Sequence, residues 1–396
     1  MQMKTEELIY LDHNATTMID PQVIREMESY MDIFGNPSSS HVLGKKAKEG
    51  LEKERQDVAE LIGADVSEIV FTSGGTESNN MVIKGMINLR EPEKNHIIIS
   101  AIEHPSIFNP ALYLIELGVE VSVVKVNRNC LVDPEDVKKE IRQDTKLISI
   151  MLANNETGTI QPIKEIARIG KEFEIPVHTD AAQAVGKIPV DVNELGVDLL
   201  TIAGHKFYAP KGIGALFIRK GTEITPLLHG GGQEEGRRSG TESVIMAIAL
   251  GTACRLAKHR LKEDIPRIKK LRDRLQALLF QHIEGIVLNG DTKNRLPNTL
   301  NISVPGIPGE KILEKIPQVI ASTGSACHEG KNKISHVLSA MGVPEDIAIG
   351  ALRFSLGRSN TEEQIDRAAE LIISCIKELK NGHASFFDNR HGKRQL

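Results

Sequence analysis

The 396-residue sequence predicts an α/β protein, with a large, mostly parallel sheet covered by helices and then a smaller α/β domain. Three observations carry this expectation. Short runs of consecutive Ile, Leu and Val, as expected for strands buried on both faces, alternate with stretches of helical apolar spacing. Polar insertions fall directly after several of these runs, where an open parallel sheet gathers its ligands. The composition then shifts around 255–262, where R-L-A-K-H-R-L-K opens a long charged helix reaching about His282.

In chain order, residues 8–17 (L-I-Y-L-D-H-N-A-T-T) give a short apolar start and a turn-rich end. Residues 21–34 have amphipathic helical spacing with Pro21 in the first turn. G-N-P-S-S-S-H, 35–41, is a loop by composition, and Leu43–Ile62 is again helical. Strand-like runs follow at Glu68–Thr72, His96–Ala101, Glu120–Val126, Lys146–Leu152, Val177–Thr179, Leu199–Ala203 and Ile213–Arg219. The large domain is assigned to 17–258, and the small domain to 1–16 and 259–380. The latter has short strands at Val287–Asn289, Thr299–Ser303, Val319–Thr323 and 351–358. Residues 381–396 read as a polar, loosely ordered tail.

Composition narrows the function. Net charge −4, pI near 6.4, no tryptophan and 4% aromatics give no basis for a nucleic-acid surface. The N-terminus is too polar for a signal peptide, and the apolar stretch Val244–Cys254 is too short to span a bilayer, so a soluble, cytoplasmic protein is expected. Four scattered cysteines, without C-x-x-C or zinc spacing, suit a reducing compartment and no metal site.

Four stretches carry chemistry. In L-L-T-I-A-G-H-K-F-Y-A-P-K-G, 199–212, Lys206 follows an apolar run; a poorly solvated amine there has a lowered pKa and suits a nucleophile or proton carrier. A lysine beginning a surface loop is the plain alternative. P-V-H-T-D-A-A-Q-A, 176–184, reads as a strand entering a helix, with Asp180 either at a ligand or capping that helix with Gln183. F-T-S-G-G-T-E-S-N-N, 71–80, opens a helix with Gly74, Gly75 and Thr76, where free N–H groups suit a phosphate. S-T-G-S-A-C-H-E-G-K, 322–331, sets Cys327 between glycines beside His328 and Lys331, an electropositive thiol.

A candidate lysine, an acid for a ring nitrogen, a phosphate nest and a thiol together suit a pyridoxal 5′-phosphate (PLP) enzyme. From Tyr10 to about Leu379 the chain resembles the class V aminotransferase-fold cysteine desulfurases, the NifS/IscS group that also includes selenocysteine lyases. The resemblance implies PLP-dependent transferase fold type I, with a seven-stranded sheet in the large domain. It implies that Lys206 holds PLP and that Asp180 keeps its ring nitrogen protonated. His104 would stack on the ring and move protons. Asn154 and Gln183 would approach the ring hydroxyl and the substrate. Gly75, Thr76 and His205 would serve the phosphate, with Thr241 reaching it from a neighbouring subunit in a homodimer. Arg353 would clamp the substrate carboxylate, and Cys327 would attack the sulfur of L-cysteine, releasing L-alanine and keeping a persulfide for an acceptor protein of iron–sulfur or thio-cofactor synthesis.

Two departures bear on this. Many desulfurases have a serine three residues before the lysine, and here it is Ala203. Many bacterial members have a hydroxyl residue after the cysteine, and here it is His328. A-C-H and V-H-T-D-A-A-Q-A are similar to selenocysteine lyases, which makes L-selenocysteine the alternative substrate; the loop from Cys327 to Ser335 resembles the NifS-like group. An aminotransferase or a silent sulfur-transfer scaffold is the remaining alternative.

Overall fold

A computed structural model describes residues 8–92, 95–323 and 334–391. Cys327, His328 and Lys331 lie outside the described residues. The strands are β1 (Ile9–Tyr10), β2 (Ile69–Thr72), β3 (His96–Ser100), β4 (Glu120–Val124), β5 (Thr145–Ser149), β6 (Val177–Asp180), β7 (Leu199–Ala203), β8 (Gly214–Ile218), β9 (Val287–Leu288), β10 (Thr299–Ser303), β11 (Val319–Ile320) and β12 (Ala351–Ser355).

Seven of them form one sheet in the order β2-β8-β7-β6-β5-β3-β4. The run from β7 through β6, β5 and β3 to β4 is parallel, and β8 is antiparallel to both of its neighbours. Strand alternation explains the unbroken apolar runs. Ile98, Ile69, Phe71, Leu200 and Ile202 point into one buried cluster, while Ile97, Ile99, Val70, Leu199 and Leu216 point into another on the opposite face. Both faces are covered, so polar residues inside strands are paired, as His178 is with Ser149 and Thr201.

A second sheet, β12-β10-β9, is antiparallel, and β1 pairs with β11 in parallel. The N-terminal segment therefore leaves the large sheet and packs with C-terminal strands. Asp12 also bridges to Ser355.

Several boundaries differ from the sequence reading. The apolar stretch 244–254 and the charged stretch after it form one continuous helix, Val244–His282. Ala247–Ala257 of this helix joins the large-sheet cluster, and Ile268–Leu279 joins the cluster beneath the second sheet. A change in partner, with no break in the helix, explains the compositional shift. Residues after Asp180 form successive turns, where a helix was expected. The last helix, Glu362–His391, continues into the segment read as a loose tail.

The Gly-rich stretch 229–243 is anchored. Arg55 donates to Glu234 through two nitrogens, at 2.6 and 2.9 Å, and Glu234 Oε2 also accepts the Phe71 amide at 3.0 Å. Both side chains are buried. Losing Glu234 takes the fork partner from buried Arg55, which keeps only the half-exposed Glu52 and the Ile69 carbonyl, and leaves the Phe71 amide without its acceptor. Glu234→Ala should therefore lower unfolding stability by roughly 3 kcal/mol in urea melts; a loss below about 0.5 kcal/mol, typical of a surface change, would show that the anchor contributes little.

Candidate active site

The candidate side chains come from one end of the large sheet, beyond the carboxyl ends of its parallel strands. β2 leads to Gly74–Thr76, β3 to His104, β5 to Asn154, β6 to Asp180 and Gln183, and β7 to His205 and Lys206. Arg353 arrives separately on β12.

Lys206 ends a 3-10 turn, Gly204–Lys206, directly after β7. Its Nζ donates to the carbonyls of Asn14 and Ala15, both at 2.8 Å. Burial lowers its pKa to about 8; the nearby Arg353 adds to this, against Asp180 and Asp12. The amine is thus held at the strand mouth on two carbonyls, with its pKa lowered by burial.

Asp180 is buried at the end of β6. Its Oδ2 accepts from Asn79 Nδ2 at 2.7 Å and its Oδ1 from the Ala182 amide at 2.9 Å. Asn79 also donates to Ser106 Oγ at 2.8 Å, and Ser106 bonds His104 Nδ1 at 2.7 Å. This chain ties the acid to the histidine. Gln183 Nε2 donates to the Asn14 carbonyl at 3.0 Å, so its side chain belongs to the site and caps no helix.

The helix Gly75–Gly85 begins after Gly74, whose φ of 146° favours glycine, and no side chain caps it. Thr76 is exposed on its first turn. A Cβ on Gly75 would lie 3.3 Å from Ala203 Cβ, so the helix start sits over the end of β7 and next to the position that lacks a serine. His205 Nδ1 bonds Thr16 Oγ1 at 3.1 Å, and burial followed by the charges of Lys206, Lys211 and Lys187 lowers its pKa to about 4. Thr241 lines a cavity of about 150 Å³ with Arg238 and with Thr72 and Ser73, which lead into Gly74–Thr76.

Arg353 donates to the Asn155 carbonyl at 3.1 Å and to Asp12 Oδ1 at 2.8 Å, and its buried Nε has no partner among the described residues. Asn154 is fully buried. Its Oδ1 accepts from the amides of Glu156 and Thr157, both at 2.9 Å, and its Nδ2 donates to the Ile102 carbonyl at 3.3 Å. Its amide shapes the turn that presents Asn155 to Arg353. Sequence reasoning assigned no role to Asp12, Asn14, Asn79 or Lys187, which bond these side chains. The one sequence signal available was the four-residue spacing of Gln183 and Lys187.

A strand-end lysine beside a buried acid and an uncapped helix start defines a class. The chain belongs to the class-V aminotransferase family, whose profile matches residues 9–368. It is 47% identical over 381 residues to "Cysteine desulfurase IscS" of Dictyoglomus turgidum, covering 96% of each chain. A solved structure titled "NIFS-LIKE PROTEIN" superposes with a TM-score of 0.87 at 39% identity, covering 93% of this chain and 99% of that one. Another, "SspA in complex with cysteine", does so with 0.78 at 35%, covering 88% and 98%. Within the family this chain is a cysteine desulfurase of the NifS/IscS type, a group of PLP-dependent enzymes. The relatives do not favour the selenocysteine lyase alternative. Among the described residues no helix is long and apolar enough to cross a membrane.

The environment of Lys206 is measurable. In cofactor-free protein, acylation of Lys206 followed by mass spectrometry should show a pH midpoint of about 8, against roughly 10.4 for a solvated lysine. A midpoint of about 10 or higher would show that the amine is solvated. The sign for stability follows from the same shift. Burying this amine costs stability below about pH 8, and the cost fades as pH rises from there towards roughly 10.4.

Proposed function

We propose that this desulfurase binds PLP on Lys206 and stores the sulfur of L-cysteine as a persulfide on Cys327. The observation that carries the reading is the Lys206 amine, held on two carbonyls with a pKa of about 8 beside Asp180. The donor set fits the cofactor. Lys206 suits its aldehyde, Asp180 its ring nitrogen, and the uncapped start of Gly75–Gly85, with Thr76 and His205, its phosphate. Ala203 leaves the phosphate one hydroxyl short.

When bound, PLP supplies the electron sink for charge released at Cα. Arg353 holds the substrate carboxylate from beside Asn155, and Asn154 fixes the turn that carries Asn155. Lys206 takes the Cα proton. His104, tied to Asp180 through Ser106 and Asn79, is placed for further proton movement. Cys327, as thiolate, attacks the substrate sulfur. The S–S bond forms as the Cβ–S bond breaks, its electron pair stays with Cβ, and protonation there yields the methyl group of alanine.

Among the described residues, Cys130, Cys254 and Cys375 are buried and unbridged, and burial raises each thiol pKa, that of Cys130 to about 12. They are poor thiolates, which supports assigning the nucleophile to Cys327. The enzyme acts as a homodimer that passes sulfur to an acceptor protein. One feature supports the dimer: the apolar side chains of Phe34 and Val42 are 80% and 77% exposed in the single chain.

Alanine release from L-cysteine tests the reading. Cys327→Ser should keep the visible PLP absorbance and lose roughly 100-fold or more in alanine release. Lys206→Ala should lose the lysine-dependent absorbance and the activity. Persulfide transfer undiminished in Cys327→Ser would reject the nucleophile, and an unchanged spectrum in Lys206→Ala would reject the lysine.

A further inference from the structure

Lys187 is a second lysine beside Lys206, with no part in the chemistry above. It lies four residues after Gln183, on the turns that leave β6. It lines a small cavity of about 30 Å³ together with Lys206, His13, Asn298 and Tyr208. Its Nζ donates to Gln183 Oε1 at 2.5 Å and to Asn14 Oδ1 at 2.9 Å. Both acceptors are neutral amide oxygens. Burial lowers the Lys187 pKa well below the usual lysine range, and Lys206 and Arg353 push it the same way. These two oxygens each take one of its N–H groups.

Each amide has a direction, and Lys187 is placed to set it. With Oε1 on Lys187, Gln183 Nε2 must face the other way, and it donates to the Asn14 carbonyl at 3.0 Å. The same carbonyl receives Lys206 Nζ at 2.8 Å. Asn14 Oδ1 accepts from Lys187 and from Asn298 Nδ2 at 3.0 Å. Its own Nδ2 is therefore turned to the Asn155 carbonyl at 3.1 Å and to Thr299 Oγ1 at 2.9 Å. An amide flip at either residue would set donor against donor.

We propose that Lys187 is a positioning residue of the cofactor pocket: by donating to Gln183 Oε1 and Asn14 Oδ1 it orients both amides, turns the Gln183 nitrogen towards Lys206, and steadies the carbonyl on which Lys206 Nζ rests. The proposal rests on the reading that Lys206 carries PLP. Charged and titratable groups face the lysine pair from each neighbouring element. Asp12 and His13 come from the N-terminal segment, His104 follows β3, Asp180 ends β6, His205 follows β7 and Arg353 lies on β12. Asp264 and Arg358 line the far side of the cavity. Removing Lys187 frees Gln183 to turn its oxygen inward and takes away an amine that can carry positive charge. Both changes favour the protonated form of the Lys206 nitrogen.

The test is a pH titration of the visible absorbance of PLP-loaded wild type, Lys187→Met, Gln183→Leu and the double variant, with thermal melting to check folding. The midpoint in Lys187→Met should rise by about one pH unit. Gln183→Leu should raise it too, and the double variant should shift no further than Gln183→Leu alone, because one residue acts through the other. A Lys187→Met midpoint within about 0.2 of wild type, or shifts that add fully in the double variant, would overturn the proposal. Lys187→Leu, which also removes the donor, takes its place should Lys187→Met fail to fold, and it is read by the same midpoint and additivity against Gln183→Leu. Borohydride reduction and peptide mapping separate the two levels of failure. Cofactor attached to a residue other than Lys206 removes the underlying reading, whereas cofactor on Lys206 with an unmoved midpoint removes this proposal alone.

Discussion

The structure depends on the buried amide of Asn14. A polar group taken out of water must find partners inside, and Asn14, only 1% exposed, finds them in every direction. Its backbone N–H donates to Ser355 Oγ at 2.8 Å, its side chain meets Asn155, Thr299, Asn298 and Lys187, and its carbonyl receives Gln183 and Lys206. These partners follow β5, β6 and β7 of the large sheet or belong to the second sheet. The two sheets are thereby joined at the point where the chemistry is placed, and an N-terminal segment remote in sequence becomes the floor of the site.

Electrostatics around that floor separate reactive groups from inert ones by burial. Lys206 is held with a pKa of about 8, while the described thiols are pushed up. Two buried acids flank the site with their pKa values raised by burial. Glu103, beside His104, is raised by burial to about 8 and accepts from Ser100 Oγ and the Met151 amide. Glu156 is raised to about 7 and accepts from Ser335 Oγ, at the base of the helix that follows the Cys327 segment. The charges that act on Lys206 come instead from Arg353, Asp180 and Asp12.

Most of the fold was legible in the sequence. Strands buried on both faces need consecutive apolar residues, and β2 to β8 fall where those runs are. The turns after Asp180 were less legible, because Asp-x-x-Gln spacing suits a helix cap as well as a site. The choice was made by Asn14, which takes Gln183 away from any cap. Asn154 shows the same limit. Its position after a strand points to a ligand, yet neighbouring amides at Glu156 and Thr157 claim its oxygen. The long helix Val244–His282 looked like two pieces because its buried face changes partner midway while its backbone bonding continues.

By itself the sequence determined the α/β layering and the family, and it marked the lysine, acid and thiol to which we assign the chemistry, because each rests on local patterns: period-two burial, strand-end placement and ordered motifs. Only the tertiary structure decided which groups support them. Asp12 on Arg353, Asn79 on Asp180, and Asn14 and Lys187 behind Lys206 are contacts between segments far apart in the chain or across a turn. No local periodicity encodes such pairs, since they arise from the requirement that polar groups gathered at the end of a buried sheet satisfy one another.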